Sequence, residues 1–302
     1  MRITNQLITR HSQSRLQTSL QGIDRLREDI SSGLRVRKMS DDPVAAGEVV
    51  RIGSSMRAIA QFRRNIDIGL VRAQSEETAL DHLSNAMTRA VELGISQASA
   101  TANAQSRLMV KTEIDQLISQ AVGLGNMKVG DDYLFGGTRS GEAPFRMPPT
   151  AADGFSALTL SGNPVDPSGS IQLEIGDGNF ITPTHNGTDV FLTTDALESL
   201  RALSTALGNN DFEAIGAATD RLNTANSKVQ SLFGSVGARV NEMESARTNL
   251  DAVELSLKAF RADLRDTEVD TAIAELIGKQ TLYQAAMGAT SRILGLSLAN
   301  YL

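Results

Sequence analysis

A mainly α chain with an inserted β domain is the architecture that three features of the 302-residue sequence impose. Six of the seven prolines fall between Pro144 and Pro183, where they would interrupt any helix; only Pro43 lies elsewhere. Six of the twelve aromatic residues crowd into residues 133–192, namely Tyr133, Phe135, Phe145, Phe155, Phe180 and Phe191. Towards the carboxy end, Met243, Ala246, Leu250, Val253, Leu257, Phe260 and Leu264 alternate steps of three and four, an a/d seam for a coiled coil. The expected arrangement is a long antiparallel helical rod, coiled-coil-like, built from both chain ends, with a small β-rich domain in the middle.

The elements follow in order. Leu16, Leu20, Ile23 and Ile30 step by four, three and seven along a first helix. A second helical run extends from Pro43 to about Met127, interrupted by the small residues of SQASATANAQS, Ser96 to Ser106. In the inserted segment, ALTLSG, SIQLEIG and DVFLTT have strand character, and GNP, DPSG, GDG and HNG supply hairpin punctuation. Its aromatic residues give it a small core of its own.

The carboxy-terminal seam changes phase at DTEVD and resumes at Ile273, Ile277, Gln280, Gln284, Met287, Ser291, Leu294, Leu298 and Tyr301. A helix from Val240 to Ala299 would be about 90 Å long at ~1.5 Å per residue. Two glutamines and a serine in the terminal seam suit a helix completed by neighbours better than one in its own dry core. The expected regions are 1–41, an amino-terminal assembly helix; 42–132 and 193–264, the two parts of the rod; 133–192, the β domain; and 265–302, a carboxy-terminal assembly helix.

Composition excludes several chemistries. The absence of cysteine removes disulfides, cysteine nucleophiles and thiolate metal sites. The start, MRITNQLITRHSQSRL, lacks the apolar core of a cleaved signal peptide, and no apolar run is long enough to span a bilayer. Net charge is −6, but residues 1–72 carry 13 Lys and Arg against 7 Asp and Glu, and the remainder 16 against 28. Basic helices at one end and acidic helices at the other attract each other. The amino-terminal arginines are dispersed around helical turns without a binding motif, so neither nucleic acid nor membrane is an expected partner.

Catalytic signatures are missing as well. His11, His82 and His185 have no ligand spacing and read as surface or helix-flank residues, so no metal or cofactor is expected. No GxSxG elbow occurs. GLGNMKVG and GGTRSG lack the GK[ST] of a phosphate loop and read as turn glycines, as does GDGN. Asn186 and Gly187 of HNGT read as a primed turn joining two strands.

One stretch is too charged for a plain corner. In SSGLRVRKMSDDPVAAGEVV, Ser31 to Val50, Gly33 can end the first helix, Asp42 can cap the second, and Pro43 fits its first position. Arg35, Arg37, Lys38, Asp41 and Asp42 nevertheless offer both signs to a neighbouring copy. Helix cap and subunit contact are both open readings of this turn.

SGLRVRKMSDDPVAAGEV and the MRIT start resemble the amino-terminal signature of the bacterial flagellin family. The likeness continues in YLFGGTRSGEAPF (Tyr133–Phe145), GTDVF (Gly187–Phe191), VGARVNEMESA (Val236–Ala246) and LGLSLANYL (Leu294–Leu302). Pro43 and the NYL ending fit the hook-filament junction members of the family rather than its filament subunits. Thr150–Thr184 carries no part of the likeness.

The resemblance implies a structural component of the flagellum without enzymatic activity, exported unfolded by the flagellar type III route to the cell exterior. Implied partners are hook-associated protein 1, flagellin, copies of the chain itself in a ring, and an export chaperone on the carboxy-terminal helix. Assembly then folds the terminal helices as neighbouring subunits cover their stripes. The expected subunit contacts are Leu16, Leu20, Ile23, Ile30, Arg35, Arg37, Asp41, Asp42, Pro43, Ile277, Met287, Leu294, Leu298 and Leu302. A minor filament subunit is the first alternative, and a cytoplasmic coiled-coil scaffold or signalling protein the second.

Overall fold

The structure, a computed structural model, describes residues 2–99, 102–150, 154–156 and 165–299. Six long helices are α1 (Arg2–Ser32), α2 (Pro43–Gln97), α3 (Ala104–Gly125), α4 (Ala196–Gly208), α5 (Phe212–Arg265) and α6 (Val269–Ala299). Among the described residues six short strands lie between α3 and α4: β1 (Lys128–Val129), β2 (Asp132–Tyr133), β3 (Phe145–Thr150), β4 (Gly154–Ser156), β5 (Leu173–Gly176) and β6 (Asn179–Ile181). They form three antiparallel pairs, β1–β2, β3–β4 and β5–β6. The fold is mainly α, with long helices from both chain ends and small strand pairs in the middle. Its contacts divide it into two compact units, residues 1–58 with 252–302, and residues 59–251.

Heptad repeats organise the second unit. On α2, Ile59, Ile66, Ala73, Leu80 and Met87 are seven apart and all buried; on α5, Ile215, Leu222, Val229, Val236 and Met243 repeat the pattern. Each large side chain removed from water in this way contributes about 2 kcal/mol. The two stretches run antiparallel. The Ser84 hydroxyl donates to Asn226 Oδ1 at 2.9 Å, Arg63 pairs with Asp251 at 3.3 Å and Arg247 with Asp67 at 3.4 Å. Their close approach requires Gly94, where an added Cβ would stand 2.3 Å from Thr219 Oγ1.

Helices α3 and α4 pack on each other and extend the same core with Ile114, Ile118, Leu197 and Leu200. Asn103 caps α3 by accepting the Ser106 N–H at 2.7 Å. The buried Arg107 guanidinium ties the tip of the unit together, donating to the Gln97 and Ser99 carbonyls and to Asn210 Oδ1 at 2.6 Å. Asn210 has a φ of 55°, a left-handed turn that Asn tolerates.

Among the described residues the inserted segment has no core of its own, contrary to the sequence expectation. Phe135, Phe145, Phe155, Ile175, Ile181 and Phe191 belong to the single apolar cluster that includes α2, α3, α4 and α5. Two-stranded pairs are too small to shield such rings, so the rings pack onto the helices. Phe191 meets Phe135 edge-on at 5.2 Å and Phe145 at 5.0 Å.

DVFLTT is also not a strand. Thr188–Thr193 forms a π-helical turn, opened by Asn186 Oδ1 accepting the Asp189 N–H at 2.8 Å. Gly187 lies at φ −64° and donates to the Phe135 carbonyl, so it makes no primed turn. A side-chain cap and burial of Val190 and Phe191 outweigh β propensity here. The GDG hairpin stands as expected, with Gly178 at φ +69° between β5 and β6. The ALTLSG segment lies outside the described residues.

In the first unit, α1 stops at Gly33, whose φ of +69° ends the helix as expected. The helix expected from Val240 through Ala299 breaks at Asp266–Glu268. A continuing helix would need the Arg265 carbonyl for the N–H of residue 269. That carbonyl instead accepts the Arg35 and Val36 N–H groups at 2.7 and 3.2 Å, and Thr267 N–H donates to Gly33 at 2.9 Å. The two corners are thereby joined, and α6 returns along α1, burying Ala272 and setting Lys279 beside Gly22.

Candidate assembly surfaces

The charged turn is largely satisfied within its own unit. Asp42 Oδ1 accepts the Val44 and Ala45 N–H groups at 3.1 and 3.0 Å, the expected cap of α2, and Pro43 takes the first helical position. Asp41 Oδ2 accepts the Lys38 and Arg37 N–H groups at 3.0 and 3.2 Å, and these bonds hold its carboxyl below the usual aspartate range. Arg37 donates to Glu28 at 2.7 Å and Asp29 at 3.0 Å; the bond to Glu28 raises the guanidinium's already high pKa. Arg35 donates to the Leu264 carbonyl at 2.8 Å and lies 3.7 Å from Asp42.

What the turn leaves open is mostly apolar. Met39, Val44 and Val50 are exposed, Val44 to 85%. A groove of about 280 Å³ runs beside them, with Met39, Val49 and Val50 on its wall and Lys38 and Arg265 at its rim. Neither cation has an ion pair among the described residues.

The terminal helices carry further uncovered apolar residues. Leu20 is exposed, Leu16 and Ile30 are half-buried, and Ile23 is buried at 3%, so it is spent inside the protomer. On α6, Ile277 and Met287 are exposed at 58% and 50%. Leu294 and Leu298 lie on α6, and Leu302 lies outside the described residues. The α5 seam is covered at Met243 but open at Val253 and Phe260. An isolated surface Leu or Ile is ordinary; α6 exposes Ile273, Ile277, Leu282 and Met287 together.

His185 is not the surface residue that the sequence led us to expect. Its Nδ1 lies 2.6 Å from Glu76 Oε1, its backbone N–H donates to the same carboxylate, and its Nε2 lies 3.0 Å from Ser235 Oγ. Glu76 is fully buried on α2, seven residues from Leu83 and fourteen from Ala90, in a core position of the helix. A charge in that register was the signal that the sequence offered. The trio resembles a hydrolytic triad only in composition. Ser235 donates its hydroxyl to the Leu232 carbonyl at 2.8 Å and sits mid-helix, where backbone N–H groups are already bonded and form no oxyanion hole. Among the described residues no group of three or more His, Cys, Asp or Glu is placed to hold a metal, and no helix is long and apolar enough to cross a membrane.

Comparison with known proteins gives these surfaces a setting. Residues 3–139 match the bacterial flagellin N-terminal helical region and residues 217–302 the bacterial flagellin C-terminal helical region. The chain is 27% identical to flagellar hook-associated protein 3 of Escherichia coli K12 over 289 residues, covering 90% of each chain. It is 22% identical to the protein of the same name from Salmonella typhimurium LT2, over 99% of this chain and 98% of that one. Among solved structures, hook-associated protein 3 of Legionella pneumophila shares the fold at a TM-score of 0.61 and 13% identity, over 72% of this chain and 98% of that one. FlgL of Bacillus cereus does so at 0.57 and 22%, over 70% and 99%. With both helical regions matched at the two ends of a mainly α chain, the protein belongs to the bacterial flagellin family of structural, non-enzymatic flagellar components.

Proposed function

We propose that the chain is a structural subunit of the flagellar hook-filament junction, built in as copies of itself between hook components and flagellin. The observation that carries the reading is the pair of terminal helices: α1 and α6 cover each other on one side only and leave Leu20, Ile277 and Met287 to solvent. Long amphipathic helices gain most of their stability by burying such stripes, and sister subunits supply the missing surface. Full-length similarity to two hook-associated proteins 3 supports the junction over the filament.

On this reading hook-associated protein 1 adjoins one side and flagellin the other, and an export chaperone covers α6 before assembly. The protein is exterior to the cell, and its terminal helices order fully only as neighbours dock. The charged turn contributes through the apolar residues and cations that its internal bonds leave free. Shearing appendages from cells and fractionating them tests the reading. The chain is expected to travel with hooks and filament bases, and a strain lacking it to shed filament protein. Purified protein that polymerises alone into long filaments would instead identify a minor filament subunit.

A further inference from the structure

The groove beside the charged turn and the start of α6 complement each other in shape and charge, yet both belong to the same unit and each is open to solvent. The groove offers an apolar wall of Met39, Val49 and Val50 between two unpaired cations, Lys38 and Arg265. At the start of α6, Val269, Ile273 and Ile277 are exposed at four-residue steps, one ridge along the helix. Ile273 and Ile277 lie off the side that buries Ala272 against α1, and Val269, three residues before Ala272, borders that side. Glu268 and Asp270 stand on either side of Val269 in the chain, Glu268 bordering the cleft that it lines with Arg25 and Arg35, and neither carboxylate has an ion pair among the described residues.

We propose that the groove of one copy receives the Val269–Ile277 ridge of a second copy, with Glu268 and Asp270 meeting Lys38 and Arg265. This rests on the junction reading and names the residues through which its copies meet. Two different patches are joined, so the contact is head-to-tail; repeated, it closes a ring or climbs a helix, as an axial layer requires. The apolar ridge supplies the association, and two anions meeting two cations favour this pairing over groove-to-groove or ridge-to-ridge contacts, in which like charges would face each other.

The chain has no cysteine, so engineered thiols have no background. Two chains, one with Met39→Cys and the other with Ile273→Cys, are co-expressed in cells lacking the native copy. Sheared appendages are then treated with a short bismaleimide. A covalent dimer is expected only when both variants are present. In a second arm, Lys38→Glu with Arg265→Glu is expected to cut incorporation at least tenfold, and adding Glu268→Lys with Asp270→Lys to the same chain to restore it.

Recovery of both thiol variants in appendages without a dimer overturns the proposal and leaves the junction reading standing. So does a fourfold variant as defective as the cation pair, with circular dichroism showing both folded. Where neither thiol variant is incorporated, the charge arm decides. Absence of the wild-type chain from hooks and filaments removes the junction reading itself, and the proposed contact with it.

Discussion

Arg35 holds the far corner of its unit through Leu264: its guanidinium donates to the Leu264 carbonyl at 2.8 Å while its own N–H donates to the next carbonyl, of Arg265, at 2.7 Å. Val36 and Thr267 add two more main-chain bonds between the α1–α2 and α5–α6 corners. Three of the four bonds are backbone, so Arg35→Ala removes one charge-assisted bond across the corners, together with the 3.7 Å ion pair to Asp42. Half-exposed, that bond is expected to contribute about 1 kcal/mol. Hydrogen exchange at Thr267 and the first turn of α6 is expected to accelerate by about fivefold, with no change in residues 59–251.

Asp42 allows the cap to be separated from a subunit contact. Asn is as good an N-cap as Asp, whereas Ala forfeits about 1 kcal/mol. Asp42→Asn is therefore expected to melt like the wild type and Asp42→Ala several degrees lower. If both variants incorporate into flagella in proportion to their stability, Asp42 serves only the fold. Normal melting with poor incorporation of Asp42→Asn would show that its charge meets a neighbour.

Asp41 makes the turn acid-sensitive in a defined direction. Its folded pKa lies below the usual aspartate range because the Lys38 and Arg37 N–H groups favour the carboxylate. A depressed carboxyl stabilises the fold fully above its unfolded value, and the benefit disappears as pH falls through the folded value. Urea midpoints of wild type and Asp41→Asn are expected to differ by a constant amount above pH 5 and to converge below about pH 4. A gap that widens on acidification would contradict the assignment.

Period was legible in the sequence; partnership was not. The helical period of α5, the stop at Gly33, the Asp42 cap and the break between Gln97 and Ala104 all follow from local rules that the structure obeys. The heptads of Ile59 to Met87 and Ile215 to Met243 were equally readable, but small residues such as Ala73 dilute them. The errors arise where tertiary contacts override local preference. Phe145 and Phe191 pack across to helices, and DVFLTT yields its strand character to a cap from Asn186. The α5–α6 break depends on Arg35 and Val36, about 230 residues away in the chain. Arg37 and Asp41 stood out as charges, but nothing local revealed that Glu28 and two backbone N–H groups would absorb them.

Gly94 tests the heptad packing directly. Its missing side chain lets α2 approach Thr219, and a methyl group there would overlap Oγ1 at 2.3 Å. Gly94→Ala is expected to cost about 1–3 kcal/mol through overpacking, despite its better helix propensity. Gly234 on α5 faces open space, and Gly234→Ala is expected to gain about 0.5–1 kcal/mol. Opposite shifts in the unfolding midpoint of residues 59–251 would confirm the crossing.

Glu76 fixes the inserted segment to α2. Its buried carboxylate accepts both the backbone N–H and the ring Nδ1 of His185, and the Ser235 hydroxyl closes the other side of the ring at 3.0 Å. Removing one partner leaves polar groups buried without bonds, so Glu76→Ala is expected to cost about 3–5 kcal/mol. Glu76→Gln retains an amide oxygen for the His185 N–H and is expected to lose about half as much. Ser235→Ala, which leaves the carboxylate in place, is expected to cost under about 1 kcal/mol. Denaturant midpoints in this order, with the Gln variant still entering flagella, would make the trio a clamp for the segment preceding Val190 and Phe191. A Glu76→Ala protein as stable as the wild type would show instead that the aromatic cluster alone holds that segment on the helices.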